Sequence, residues 1–241
     1  MISIQPIQVN SLFPKLNNEL ILLLKSLPEE QWYSTTVCEG WNVKDIVQHL
    51  IKDYIGVISR KRDKYKNPNI PSPKFETNND LVIYINEMNQ LWVDTTKTVS
   101  PQLLVELLEF IGNKLFAYFD TVDLLNVDSG VSWISSERLP NWMDVAREYT
   151  EHWLHQAHIR DGLKVNLLNS YELFHPFISA YLMAIPKTYM NINSPVGSMI
   201  QINVLGDAGG SWYIERLEKE WNLLEGVSVE PVSSISIEQD V

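Results

Sequence analysis

Cysteine is nearly absent from this sequence: Cys38 stands alone among 241 residues, which excludes an internal disulfide framework and any cysteine-rich zinc module. Metal chemistry would have to draw on other ligands. Positive charge is scarce as well. Lys and Arg number 19 against 30 Asp and Glu, a formal net charge of −11, and so acidic a surface repels the phosphate backbone that a nucleic-acid binder must neutralise. Nucleic acid is therefore not an expected partner. The one basic run, Arg60, Lys61, Arg62, Lys64 and Lys66, is broken by Asp63 and reads as the solvated end of a helix. No window approaches the roughly 20 apolar residues of a membrane span, and the amino terminus lacks a basic segment followed by a long apolar one. A soluble, cytoplasmic protein with no membrane association is the expectation.

What is present is a globular composition, 45% hydrophobic and 20% charged, with enough length to bury a sizeable core. Apolar residues recur near the 3.6-residue period over Val9 to Leu27, over Trp41 to Lys64 behind the capping candidate Asn42, over about Asp80 to Val99, and from Pro101 to about Leu125. The proline-bearing stretch Lys66 to Asn79 reads as a loop. A further helix is expected from about Trp142 to Gly162, and a short one around Phe174 to Ala184. The last third changes character. Met199 to Val204, Trp212 to Glu215 and Ser234 to Ile237 alternate apolar and polar residues, which predicts strands, with Gly206 to Gly210 as a hairpin loop. The expected architecture is α+β in two domains: an up-and-down four-helix bundle over residues 1–163 and a small α+β domain over 164–241.

Histidines are few, yet His152, His155 and His158 crowd into the Trp142 to Gly162 helix. Residues four apart share a helix face, so Glu151 with His155, or Glu148 with His152, offers a carboxylate and an imidazole side by side. His49 sits on an apolar stripe with Ile46 and Ile51. Its ordinary reading is a satisfied core histidine; its alternative reading is a third metal ligand. Three protein ligands of nitrogen and oxygen type with an open fourth position are the arrangement of a catalytic zinc site. Cys38 has no cation near it in sequence and reads as a packed, unreactive thiol. Arg216, on a predicted strand, could meet an anionic substrate or thiol cofactor, although an exposed strand arginine is the commoner case.

The segment Glu39-Gly40-Trp41-Asn42-Val43-Lys44-Asp45-Ile46-Val47-Gln48-His49-Leu50 resembles the first metal segment of the maleylpyruvate isomerase amino-terminal domain, a branch of the DinB-like superfamily of metal-binding four-helix bundles. Glu151-His152-Trp153-Leu154-His155-Gln156-Ala157-His158-Ile159-Arg160-Asp161 is similar to its second metal segment, with His158 in place of the usual acid. Residues Ala184-Ile185-Pro186 and Gly206 to Arg216 resemble the small sterol-carrier-like domain attached to such enzymes, which usually run a little past the equivalent of Val241. The resemblance implies His49, Glu151 and His155 as ligands of a divalent metal, zinc by preference; His152 and His158 are expected not to ligate it. It also implies a low-molecular-weight thiol cofactor that the metal activates as a thiolate, and a small electrophilic substrate to which the thiol is transferred or which is isomerised. A non-catalytic metal- or ligand-binding protein, or a metal-water hydrolase, are the competing readings on the same bundle.

Overall fold

The capping signals in the sequence open the helices close to where they stand. The computed structural model describes residues 5–70, 73–226 and 230–239. Helix α1 spans Leu12–Ser26, α2 Val43–Val57, α3 Asn78–Thr95 and α4 Pro101–Phe119. A short antiparallel pair, β1 (Val127–Ser129) with β2 (Leu139–Pro140), precedes α5 (Asn141–Gly162). Then come α6 (Tyr171–Leu182), α7 (Ile185–Thr188), β3 (Met199–Leu205), β4 (Gly210–Arg216), β5 (Trp221–Glu225) and β6 (Ser233–Glu238). The fold class is α+β.

Two compact units make up the chain. One comprises Pro14–Thr121 and His155–Asn166, and the other Met1–Phe13, Val122–Leu154 and Leu167–Val241. The first is built on helices. Leu16, Leu20 and Leu24 of α1, Ile46 and Leu50 of α2, and Leu108 and Leu115 of α4 are buried almost completely, as the 3.6-residue pattern requires. Helix α2 starts with a capping box: Asn42 Oδ1 accepts the Asp45 N–H and Asp45 Oδ2 accepts the Asn42 N–H, both at 3.1 Å. That start sets the phase of the helix and turns His49 inward with Ile46 and Leu50. Substituting Asn42 by alanine should therefore lower stability by about 1 kcal/mol, measurable as a fall in Tm.

Helix α3 buries little apolar surface and is tied to α2 by polar contacts instead. Trp92 Nε1 donates to the Gln48 carbonyl at 3.0 Å, and Gln48 Nε2 donates to Thr96 Oγ1 at 2.7 Å. Lys44 Nζ reaches the Lys97 carbonyl at 2.7 Å. Two helices are shorter than their apolar runs. Helix α2 gives way to a π-helical turn, Ile58–Arg62, whose Arg62 pairs with Asp63 at 2.8 Å. Helix α4 stops at Phe119, where the Thr121 N–H turns back to the Tyr118 carbonyl at 2.9 Å and the Leu125 N–H is taken by Asp123 Oδ1 at 3.1 Å. The proline loop is non-helical where described; Pro71 and Ser72 lie outside the described residues.

The second unit carries a four-stranded sheet in the order β5-β4-β3-β6, antiparallel except for the parallel β3–β6 pair. Within it Ile202 pairs with Trp212, and the fully buried Trp212 and Ile214 face the core. Strand β5 escapes the alternation rule because Leu223 and Leu224 are adjacent and both buried, so its sequence has no period of two. Helix α6 is joined to the sheet through His175. Its ring stacks on Tyr171 at 4.4 Å and on Trp212 at 5.5 Å. Its Nδ1 is 3.2 Å from the Gly209 carbonyl and its Nε2 3.4 Å from Glu225 Oε1. Trp153, near the middle of α5, stacks on Phe177 at 4.1 Å.

Candidate functional site

The inward phase of α2 brings His49 against the carboxy-terminal part of α5. His49 Nε2 lies 3.1 Å from His155 Nε2, with the rings at 77°. Two nitrogens each about 2.1 Å from a tetrahedral zinc are about 3.4 Å apart, so the pair already stands near the spacing that a shared ion needs. Glu151 is one turn before His155 on α5, and its carboxylate comes within 4.8 Å of the His155 imidazole. The nitrogen and oxygen donors suit zinc and similar borderline metals.

Two residues around His49 escaped the sequence reading. Asp53 Oδ2 lies 3.1 Å from His49 Nε2; the signal was present, since the two are four apart on one helix. Trp41, just before the Asn42 cap, lays its ring 5.2 Å from the His49 ring and donates its indole N–H to Gln90 Oε1 at 2.9 Å. His49 is thus held from three sides and only 5% exposed.

The reading of Cys38 as an unreactive packed thiol does not hold. Residues 36–41 form a tight turn in which Thr36 Oγ1 donates to the Trp41 carbonyl and accepts the Cys38 N–H. Gly40 takes a left-handed φ of 77° there. This turn sets Cys38 Sγ 3.2 Å from His158 Nδ1, and Cys38, His155 and His158 offer ligand atoms that all lie within 4.8 Å of one another. Hydrogen bonds with His155 and then His158 hold the thiol down at about 6 against the upward push of burial. In the metal-free protein, alkylation of Cys38 should accordingly be half-maximal near pH 6 rather than near the ordinary thiol value of about 8.5. The rate should fall below that point as the thiolate is protonated. A pH-rate profile with an alkylating reagent measures it, and His158→Ala should move the midpoint upward.

The alternative register on α5 is not assembled. Glu148 is engaged by Arg147, and the buried His152 sets its ring edge-on to Phe13 at 6.4 Å. Arg216 closes β4. Its backbone bonds to Ser198 and Gly197, and its guanidinium lies 5.9 Å from the Trp221 ring centroid. Its Nε and Nη1 are buried with no hydrogen-bond acceptor among the described residues. It is not the exposed strand arginine that would be the commoner case.

The family of the mycothiol maleylpyruvate isomerase N-terminal domain matches residues 13–160, a stretch that holds Cys38, His49, Asp53, Glu151, His155 and His158 but not Arg216. The chain belongs to this family. Among solved structures, mycothiol-dependent maleylpyruvate isomerase aligns over 84% of this chain and 78% of its own, with a TM-score of 0.54 and 12% identity. A histidine-to-alanine mutant of that enzyme gives a TM-score of 0.55 at the same identity and coverage. At that identity the likeness establishes the fold. No curated protein sequence matches the chain. Among the described residues, no helix is long and apolar enough to cross a membrane.

Proposed function

We propose that this protein is a metal-dependent enzyme that uses a low-molecular-weight thiol on a small electrophilic substrate, transferring the thiol or isomerising the substrate. The observation that carries this reading is the 3.1 Å approach of His49 Nε2 to His155 Nε2 in a member of this family, with Glu151 one turn away. His49, Glu151 and His155 are the proposed ligands, and zinc the proposed metal. When bound, such a metal supplies the positive charge that keeps a ligated thiol ionised at neutral pH. The chain's own residues do the rest. Trp41 packs against the His49 ring, and the burial of His49 keeps competing water from its side of the site. Arg216, half-buried beside Trp221, is proposed to bind an anionic group of the thiol or substrate.

The proposed setting is the cytoplasm, where thiols stay reduced, and the proposed partner is a small molecule rather than nucleic acid. The kinship of residues 164–241 with a sterol-carrier-like domain, and a domain boundary between 163 and 164, belong to the same proposal.

The test uses cobalt-substituted Cys38→Ser protein, in which any sulfur-to-cobalt charge-transfer band must come from an added thiol. Mycothiol, bacillithiol and glutathione are titrated in turn. One of them should produce the band and saturate at lowest concentration. If none perturbs the spectrum while cobalt stays bound, thiol transfer is excluded, and metal-water hydrolysis or a binding role takes its place. Arg216→Gln should weaken the apparent affinity for the effective thiol or for an anionic substrate by about tenfold, the value of one charge-assisted hydrogen bond, without changing cobalt stoichiometry.

A further inference from the structure

Cys38 and His158 are not used by the reaction proposed above, yet they form a second cluster of metal-ligating atoms. Sγ of Cys38 stands 3.2 Å from Nδ1 of His158. The rings of His155 and His158, three residues apart on α5, have centroids 5.4 Å apart at 81°. The donor atoms of all three residues lie within 4.8 Å of one another, and none of the three is fully buried, so an ion can enter from solvent. Two neighbouring features hold the sulfur there: the Thr36–Trp41 turn, and Gly162, where a Cβ would come within 2.7 Å of the Thr35 carbonyl oxygen.

We propose that Cys38, His155 and His158 constitute a sulfur-containing donor set for a divalent metal, overlapping the His49–Glu151–His155 set at His155. One sulfur and two imidazole nitrogens select zinc or cobalt over magnesium and calcium, whose ligands are oxygens. The form of Cys38 that ligates is the thiolate. His49 and Glu151 belong only to the first set, Cys38 and His158 only to the second, so the two separate by mutation. The inference does not need the thiol chemistry proposed above.

The experiment titrates Co2+ into the metal-free full-length protein with no thiol added. Cys38 is the only cysteine in the chain, so a thiolate-to-cobalt charge-transfer band reports on it alone. The wild type, His49→Ala and Glu151→Gln should each show the band. Cys38→Ser should lack it, and His158→Ala should weaken Co2+ binding at this set by at least about tenfold, no less than the loss of a mere supporting residue. As a second readout, Zn2+ should slow alkylation of Cys38 in folded Glu151→Gln protein. Absence of both the band and the protection from folded His49→Ala and Glu151→Gln overturns the inference, as does a band that survives in Cys38→Ser. Co2+ bound without a band and lost in His49→Ala leaves the first set standing and removes the second. A band in His49→Ala, with no metal bound by Cys38→Ser, does the reverse.

Discussion

Replacing His155 by alanine is expected to abolish tight divalent metal binding, weakening Zn2+ affinity by more than about 100-fold. Residues that merely support a metal ligand are already worth about 10–100-fold, and His155 is the one residue common to both donor groups on α5. Single changes at its neighbours should be milder. His49→Ala leaves Cys38, His155 and His158 in place, and Cys38→Ser leaves the 3.1 Å His49–His155 pair. His152→Ala should leave metal affinity unchanged, because that ring is buried against Phe13. Competition against a chromophoric chelator measures all four. Wild-type affinity in His155→Ala would remove both proposed sites at once.

The part of the site that was legible in the sequence is the part fixed by helix periodicity. His49 lies on a stripe with Ile46 and Ile51 behind an Asn42 cap, so its inward phase follows from local spacing. Glu151 and His155 are four apart, and their shared face follows in the same way. Asp53 obeys the identical rule relative to His49 and could have been named from it. The Cys38–His158 contact is of another kind. It joins residues 120 apart in sequence through a turn whose shape depends on Thr36 and Gly40. No local pattern encodes that meeting, and the absence of a nearby cation in sequence said nothing about two imidazoles arriving from α5. Arg216 was legible as a residue but not as a half-buried one, because its burial depends on Trp221 of β5, the strand whose adjacent leucines hid it.

The loop-to-helix approach behind the Cys38 cluster can be probed at Gly162. Alanine at this position is expected to destabilise the protein by about 2 kcal/mol and to part Cys38 from His158. The sign is a contest. Alanine is favoured over glycine in a helix by at most about 1 kcal/mol, whereas overpacking a close contact costs up to about 3 kcal/mol. The contact here falls at the costly end. A Cβ on Gly162 would stand 2.7 Å from the Thr35 carbonyl oxygen and 3.1 Å from Thr36 Cγ2, and the first of these is backbone. Thr35 is bridged to Asn42, the cap of α2, and the Thr36 N–H bonds to the Trp41 carbonyl. The loop therefore cannot retreat without disturbing the start of the helix that carries His49. Thermal melts should show the lower Tm, and the pH midpoint for Cys38 alkylation should rise from about 6 toward the ordinary thiol range as the imidazole contacts lengthen. A Gly162→Ala protein with unchanged Tm and an unchanged midpoint would mean that the loop yields freely, and that close packing at Gly162 is not what holds Cys38 beside His158.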